Sequence, residues 1–596
     1  MLFALDARTG AERWHYDPKL APLTPYGIVT SRGVALWPLG GVVQPNAPAC
    51  SQRVFWGTLD ARLLAVDAAT GKVCDGFGDK GSVDLRQGVH FQNIGYYGLT
   101  SPPTVIGNVV VVGSTVGDNQ QVDSESGLVR GYDAVTGKLI WSWEPLPWAE
   151  KQKIRTGAGN VWSVISADPS LGLVYLPTGS AAPDLFGGMR PGDNRDANSI
   201  VALDAATGKK VWAFQVVHHD IWDYDIPSEP ILFTWRGTTP AIAVTTKMGM
   251  IFLFDRRTGK PLVSVEERPV PQSDVPGEQT WPTQPFQNIP PLAPLTMNVG
   301  DSSSDQRSPA DAAYCRKQLA GLRYEGIYTP PSLKGTLNYP GPTGGVNWGG
   351  AAIDPNTGVL YANTNRIASV IRLVPRHSVE NIWNNIAAIP FSLTFWFELF
   401  LASVLLGWFL RRSSNPLWPP LIVILSFCGF LGGLAIYSSL RPKWLARADH
   451  FGYELSPQRK APYLLDRHPI WDKHGFGCTP EPWGAVTAVN LNRLTKVWEK
   501  PLGTMVTGQQ TGVRNFGGPI VTASGLVITG GSEDPWLRVF DSATGDELQK
   551  VALPFTAVAT PMTYTLDGRQ YVVIAAGGHG DGTVPLGDQL IAFAVN

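Results

Sequence analysis

Charge is scarce in this chain. Only 16% of its 596 residues are Asp, Glu, Lys or Arg, and 48 basic against 49 acidic residues leave a formal charge of −1. A near-neutral chain offers no general electrostatic attraction to nucleic acid. Cysteine is scarcer: five residues, far apart, with no Cys-x-x-Cys and no Cys/His cluster, so a zinc site is not expected. The opening MLFALDARTG lacks a basic start followed by an apolar run, and no signal peptide is read there.

What is abundant is glycine (64), proline (49) and tryptophan (21), a composition of short strands and many turns. One pattern recurs: an apolar pair, an Asp, a small turn, Thr-Gly and often a Trp. It reads FALDARTGAERW around Asp6, LAVDAATGKVC around Asp67, RGYDAVTGKLIW at Asp133, VALDAATGKKVW at Asp204 and FLFDRRTGK at Asp255. Weaker copies are AAIDPNTGVLYANTN at Asp354, TAVNLNRLTKVW at Asn490 and RVFDSATGDEL at Asp541. Each copy reads as strand, polar hairpin with a positive-φ glycine, then strand. A unit of this size cannot bury its faces alone, so about eight such units predict an all-β, eight-bladed β-propeller. The tryptophan is expected to pack between neighbouring blades, and LIAFAVN at the C-terminus to add a strand that closes the ring with the N-terminal chain. Met1 opens on what should be the last strand of its unit, so the first blade is expected to be N-terminally incomplete.

Two apolar runs interrupt the repeat, Ile386 to Leu410 and Leu421 to Leu440, of 25 and 20 residues. Both are long enough to cross a bilayer, which takes roughly 20 residues. Trp408 and Trp418 flank the short turn RRSSNPLWPP, and Trp383 and Trp444 flank the outer ends, as an aromatic belt would. The expected organisation is propeller over 1–380, an inserted two-helix transmembrane hairpin over 381–446, and the last blades over 447–596.

Three constellations carry candidate chemistry. VVHHDIWDYDIP places His218, His219, Asp220, Trp222, Asp223 and Asp225 together; Lys247 precedes the strand of MGMIFLFD; GSTVGDNQQ supplies Asp118 and Asn119. Carboxylate and amide oxygens suit a hard cation such as Ca²⁺. An Asp beside it can take a proton from an alcohol, and a Lys can polarise a quinone oxygen. Singly, each has a plainer reading: a turn, a hydrogen-bonded corner, a solvated lysine.

Together and in this order they resemble the membrane-bound quinoprotein glucose dehydrogenase family, which includes quinate and polyol dehydrogenases. The resemblance spans Met1 to about Arg376 and about Leu464 to Asn596. It is carried by HHDIWDYD, RYEGIYTPPS, GGVNWGG, NFGGPI and ATPMTY with AAGGHG. It implies pyrroloquinoline quinone with Ca²⁺ or Mg²⁺, a sugar-like alcohol as substrate, ubiquinone as electron acceptor, and a propeller on the periplasmic side of the inner membrane. By the same resemblance Asp220 is the general base, Lys247 contacts the quinone, and Asp118 and Asn119 belong to the metal site. Trp162 forms the floor under the cofactor plane, Thr100, Ser101, Asn347 and Trp348 line it, and His579 stands at the substrate mouth. Stacking by tryptophan is also what a planar quinone requires.

The chain departs from that family in two places. Where the glucose enzymes carry a His before Thr-Cys-Arg-Gly, this chain reads IVTSRGV, so Ile28 replaces a substrate-side histidine and Ser31 a cysteine, which argues against glucose itself. The apolar anchor, which precedes the propeller in the family, here interrupts it. A non-catalytic propeller acting as a membrane-anchored scaffold is the rival reading, and it gives no reason to keep Asp220, Lys247, Asp118 and Asn119 together. In an oxidising compartment Cys50 is expected to pair with Cys74, and Cys315 with Cys478, leaving Cys428 in the second apolar run.

Overall fold

The computed structural model describes residues 1–22, 24–38, 43–44, 46–90, 95–147, 156–298, 308–376, 454–505, 509–579 and 584–594. Within them the repeat forms antiparallel sheets, each identified below by the residue that ends its third strand. The Asp67 sheet comprises Ala35–Trp37, Arg53–Gly57, Arg62–Asp67 and Ser82–Asp84, and the Asp133 sheet Thr104–Ile106, Val109–Val112, Val129–Asp133 and Leu139–Trp143. Ser166–Asp168, Leu173–Pro177, Ser199–Asp204 and Lys210–Gln215 make the Asp204 sheet; Ile231–Trp235, Thr239–Thr245 and Ile251–Asp255 make the Asp255 sheet. The Asp541 sheet (Ile520–Val521, Leu526–Thr529, Trp536–Asp541, Glu547–Ala552) precedes a final three-stranded sheet, Met562–Leu566, Arg569–Ala576 and Gln589–Ala594.

The turn chemistry explains the motif. The repeat Asp accepts from the Thr three residues on, both from its N–H and from its hydroxyl, at 2.9 and 2.8 Å for Asp67–Thr70 and 2.9 and 2.7 Å for Asp204–Thr207. Such side-chain bonds to the following backbone stabilise a tight turn. The glycine then swings to positive φ and donates its N–H back to the Asp carbonyl, 2.8 Å in both turns.

The tryptophan and the glycine are two halves of one joint between sheets. Trp141 Nε1 donates to the Ala205 carbonyl at 2.8 Å, Trp212 to Arg256 at 3.1 Å, Trp498 to Ser542 at 2.8 Å and Trp14 to Ala68 at 3.2 Å. In all four pairs the acceptor follows the repeat Asp of the next sheet in that series. The indole lies on that turn's glycine: a Cβ on Gly208 would come within 2.6 Å of the Trp141 ring. Behind the joint, Val111, Val129, Val174, Val201 and Leu203 form a buried apolar layer between the Asp133 and Asp204 sheets.

The first strands touch one another in succession, Ala35–Trp37 to Thr104–Ile106, then Ser166–Asp168, Ile231–Trp235, Ala351–Asp354 and Ile520–Val521. They therefore line a common centre, and the residues just ahead of them gather at one end of it. Those residues include Thr100, Trp162, Trp348 and Phe516.

The structure corrects two readings of the repeat. The Asp354 and Asn490 copies are not separate units. Ala351–Asp354, Val359–Asn365, Gly484–Asn490 and Thr495–Pro501 form one sheet, in which Asp354 closes the first hairpin and Asn490 the third strand. Thr357 bonds Asp354 at 2.7 Å, the same turn chemistry serving a different hairpin, which is why the sequence signal could not tell them apart. Leu2–Leu5 is also not the last strand of its unit: it ends just before Asp6, as third strands do elsewhere, and pairs with Glu12–Tyr16 after it. That pair meets the final sheet through Tyr564, whose hydroxyl donates to the Ala7 carbonyl at 2.6 Å, and through an Arg8–Asp567 ion pair.

An outlying sheet joins Thr336–Asn338, which precedes the Asn490 sheet in the chain, to Ser369–Pro375, Tyr463–Pro469 and Glu454–Ser456, which lie between that sheet's second and third strands. The runs Ile386 to Leu410 and Leu421 to Leu440, the 381–446 unit and Cys428 lie outside the described residues. Among the described residues no helix is long and apolar enough to cross a membrane; Pro309–Leu319 is a short helix beside the outlying sheet. Both expected disulfides are formed, Cys50–Cys74 with Cα atoms 5.7 Å apart and Cys315–Cys478 at 5.3 Å.

Two substitutions separate backbone strain from the inter-sheet joint. Gly172 and Gly208 share φ near +67° and +68°, but a Cβ at Gly172 meets nothing within 4 Å. Gly172→Ala is expected to cost about 1–2 kcal/mol, the price of the left-handed backbone alone. Gly208→Ala must also displace Trp141 and should cost about 1–3 kcal/mol more, on the scale of overpacking a core, measured by thermal or denaturant unfolding. Removing the Cys50–Cys74 bridge by Cys50→Ser with Cys74→Ser should lower stability by about 2–4 kcal/mol, read from the same melts under oxidising conditions.

Candidate active site

Asp220 is fixed by its own chain and by two neighbours. Its Oδ1 accepts from Trp222 N at 3.0 Å, and its Oδ2 from Tyr224 N at 2.9 Å, from Asn198 Nδ2 at 3.1 Å and from the Ser180 hydroxyl. Arg190 donates to the Asp220 carbonyl and, at 3.0 Å, to that of Pro183, so a buried guanidinium clamps the backbone behind the carboxyl. Burial pushes the Asp220 carboxyl up to about 6 and outweighs these donors. A carboxyl that releases its proton near neutrality is suited to general-base work. Below it Trp222 and Tyr224 bury their rings against Tyr328 of RYEGIYTPPS, and bond the Thr329 and Ile327 carbonyls at 2.9 and 2.8 Å.

The two histidines take the plainer reading. His219 is wedged between the Gly192 carbonyl (2.6 Å) and Glu278 (3.2 Å), and His218 between Gln215 (2.7 Å) and Glu267 (3.2 Å). They are hydrogen-bonded corners that brace the loop, with His219 (φ 45°) and Asp223 (φ 64°) both in the left-handed region. Non-glycine residues held there are costly and concentrate at functional loops.

Lys247 is buried and held by two carboxylates, Asp223 Oδ1 at 2.6 Å and Asp225 Oδ2 at 2.8 Å. Burial opposes its charge, but these two anions raise the ammonium well above the ordinary lysine range. Asp225 also accepts from Ser180 N at 2.6 Å and from its hydroxyl at 2.9 Å; burial raises this carboxyl, yet Lys247 and the donors bring it below the usual value. Asp223 is held on its far side by Arg467 at 2.8 Å, which in turn bonds Glu454 at 2.5 Å. The lysine's backbone fits only glycine opposite it: a Cβ on Gly344 (φ +74°) would lie 2.7 Å from Lys247 Cα. That contact gives GGVNWGG its leading glycine.

Asp118 is exposed by surface area, yet burial among surrounding protein, with Asp225 and Asp223 nearby, pushes its carboxyl up to about 8. A group that is accessible and strongly desolvated stands in a recess. Beside it Asn119 faces Asp184, donating to Oδ2 at 3.0 Å and accepting from its N–H at 3.1 Å. Among the described residues no three His, Cys, Asp or Glu side chains converge as a ready metal cage.

Trp162 and Trp348 flank Arg32, whose guanidinium carbon lies 5.1 and 5.4 Å from the two ring centres; Lys247 Nζ stands 5.9 Å from the Trp162 ring. Thr100, at 3.4 Å, and Ser101 donate to the Trp162 carbonyl, so these two residues fix the tryptophan itself. Asn347 shapes the turn that presents Trp348, donating to Thr343 O and accepting from Trp348 N, both at 2.7 Å. His579 stacks flat on Phe516 at 4.4 Å, and the Phe516 carbonyl accepts from Gly349 N at 2.9 Å, which ties it to the Trp348 turn. Ile28 is 42% exposed, and the Ser31 hydroxyl accepts from Trp56 at 3.2 Å.

Sequence reasoning did not single out Ser180, Asn198, Arg32, Asp184 or Arg467. Arg32 was within reach, because it belongs to the IVTSRGV stretch already read for Ile28 and Ser31. Arg467 lies 244 residues from its partner Asp223 and carries no local signal.

With this geometry in hand, comparison with known proteins is direct. The family model described as "PQQ: Glucose/ethanol/alcohol dehydrogenase, beta-propeller domain" matches residues 1–390 and 435–572. The quinoprotein glucose dehydrogenase of Escherichia coli is 34% identical over all of this chain and 70% of its own length. The glycerol dehydrogenase large subunit of Gluconobacter oxydans is 35% identical over all of this chain and 76% of its own. The quinate/shikimate dehydrogenase (quinone) of Acinetobacter baylyi is 32% identical over all of this chain and 70% of its own. The solved quinohemoprotein alcohol dehydrogenase from Comamonas testosteroni superposes with a TM-score of 0.59 at 22% identity, over 96% of this chain and 67% of that one, a likeness of fold. The chain belongs to the pyrroloquinoline quinone-dependent quinoprotein dehydrogenases of β-propeller fold, oxidoreductases that act on alcohol groups.

Proposed function

We propose that this chain oxidises a hydroxyl of a sugar, polyol or cyclitol with pyrroloquinoline quinone and passes the electrons to ubiquinone. The observation that carries this reading is Asp220: a buried carboxyl brought up to about 6, joined through Ser180 and Asp225 to Lys247. Asp220 serves as the base that takes the substrate's hydroxyl proton, and Lys247 as the cation toward the quinone oxygens. When bound, the quinone supplies an electrophilic carbon that accepts hydride, and the residues around it orient, exclude water and hold protons.

The residues fit such a group. Arg32 Nε is buried without a hydrogen-bond partner among the described residues, and its guanidinium sits between two indoles, a setting for a planar anion. Trp162 and Trp348 supply stacking surfaces, Thr100 and Ser101 hold Trp162, and Asn347 holds Trp348. The recess is also short of positive charge, with Asp118, Asp184, Asp223 and Asp225 facing Lys247 and Arg467. A Ca²⁺ or Mg²⁺ ion held by Asp118 and Asn119 would relieve that excess, the remaining oxygen ligands coming from cofactor and water. Ile28, exposed where the glucose enzymes have a histidine, favours a substrate other than glucose, and His579 is assigned to the substrate mouth.

The eight-bladed ring is supported by the Leu2–Tyr16 pair, which docks on the Asp67 sheet through Trp14 and on the final sheet through Tyr564. The propeller is assigned to 1–380 and 447–596, and the inserted hairpin to 381–446. The family match is interrupted from 391 to 434, which covers most of both apolar runs. Two antiparallel helices there would hold the propeller at the periplasmic face of the inner membrane and shorten the route to ubiquinone in the bilayer.

Protein loaded with pyrroloquinoline quinone and Ca²⁺ or Mg²⁺ should reduce an artificial dye with a polyol, cyclitol or aldose. Asp220→Asn should lower turnover by about 10²–10⁴-fold with cofactor affinity, read by tryptophan quenching, nearly unchanged; full activity in that variant removes Asp220 as base. Because the base must be ionised, turnover should rise with pH through about 6 and fall below it, measured as kcat against pH. Replacing about Trp383 to Trp444 by a short polar linker should yield soluble protein that keeps dye-linked activity and loses ubiquinone-linked activity. Unfolding of that product would make the segment part of the propeller core.

A further inference from the structure

We propose that the Ser180 hydroxyl is a proton bridge between Asp220 and the Asp225–Lys247 ion pair. The proposal rests on the reading of Asp220 as the base. Ser180 lies in PTGSAAPD, just beyond strand Leu173–Pro177, and its Oγ contacts carboxyl oxygens on both sides: Asp220 Oδ2, and Asp225 Oδ1 at 2.9 Å. Asn198 Nδ2 donates at 3.1 Å both to Ser180 Oγ and to Asp220 Oδ2, which pins the pair. Asp225 Oδ2 continues the chain to Lys247 Nζ at 2.8 Å. Ser180, Asp220, Asp225 and Lys247 are between 1% and 8% exposed, so bulk water does not compete for these contacts.

Counting hydrogens makes the bridge a switch. A serine hydroxyl has one hydrogen and two lone pairs. Asp225 Oδ1 already receives Ser180 N at 2.6 Å, so while Asp220 is ionised the hydroxyl hydrogen goes to Asp220. Once Asp220 holds the substrate's proton, its own O–H points into Ser180 Oγ, and the serine hydrogen turns to Asp225. Transfer then breaks the Asp220 O–H and the original serine O–H, and forms a new serine O–H and an Asp225 O–H. The proton count is unchanged and Asp220 is ionised again.

The charges decide when this runs. Lys247 holds Asp225 below the usual carboxylate range while burial holds Asp220 above it, so the proton rests on Asp220 as long as Lys247 is charged. Loss of the Lys247 proton would remove that hold and make the transfer through Ser180 downhill. Asp225, Arg190, Tyr224 and Tyr328 are the other ionisable groups facing Asp220. None of these other than Asp225 is joined to it through a hydroxyl in the hydrogen bonds described.

The test begins on protein without cofactor. Infrared difference spectra across pH should show a protonated-carboxyl band that is absent in Asp220→Asn. In Ser180→Ala that band should shift and its midpoint rise, because a donor to the ionised form is lost, and Ser180→Thr should restore both. In loaded enzyme Ser180→Ala should lower kcat by roughly tenfold or more, raise the solvent deuterium isotope effect on kcat and leave KM within about twofold, with Thr again restoring. If Ser180→Ala fails to fold, Asp225→Asn replaces it: the amide oxygen still accepts the hydroxyl's hydrogen bond but cannot take the proton, and the same isotope signature is expected. An Asp220 band and isotope effect unchanged in Ser180→Ala overturn the bridge. So does a kcat loss that tracks weakened cofactor binding and is not restored by Thr. Wild-type protein that fails to bind the quinone would overturn the dehydrogenase reading instead, while the infrared arm still decides the bridge.

Discussion

The buried Lys247 ammonium is the constraint on which the site depends. Moving an ammonium out of water costs several kcal/mol unless it is paired and hydrogen-bonded, and here Asp223 and Asp225 compensate it from the same HHDIWDYD loop. That requirement propagates outward. Asp225 must be positioned by Ser180, Asp223 must be balanced by Arg467, and Gly344 must leave room for the lysine backbone. Removing any partner leaves an uncompensated buried charge, so the cluster is tightly interdependent.

Arg467 gives this network a second meaning. It belongs to strand Tyr463–Pro469 of the outlying sheet, and the chain just before that strand packs on the Asp118 loop: Gln458 N donates to Asn119 O at 3.1 Å, and Arg459 N to Gln120 O at 2.9 Å. The sheet that brackets the apolar runs in sequence is thus a wall of the site rather than an appendage to the propeller. Bonds between residues more than 300 positions apart hold the Asp118–Asn119 turn in place.

The inter-sheet joints supply the other half of the architecture. A tryptophan from one sheet locks onto the turn glycine of the next, and this fixes neighbouring sheets in register while leaving their first strands to meet at the centre. The residues ahead of those strands converge there. Arg32, Trp162 and Trp348 come together from three different sheets because each precedes or approaches a first strand.

The fold class was legible because its signals are local. Asp, Thr and Gly within five residues make a turn whatever surrounds them, and alternating apolar residues make a strand. The same locality misled at Asp354, where identical turn chemistry closes a different hairpin. Asp220, Lys247, Asp118, Asn119 and the two tryptophans were legible through short motifs, and the structure brings them to one recess. Thr100 and Ser101, read as lining the cofactor, hold the Trp162 carbonyl, a contact that depends on which way two hydroxyls point. Sequence by itself determined the repeat, the disulfide partners and the residue types of the site. Only the tertiary structure decided that Ser180 stands between two carboxyls, that Arg32 lies between two indoles and that Arg467 balances Asp223, because these contacts join segments whose separation in the chain carries no periodicity to read.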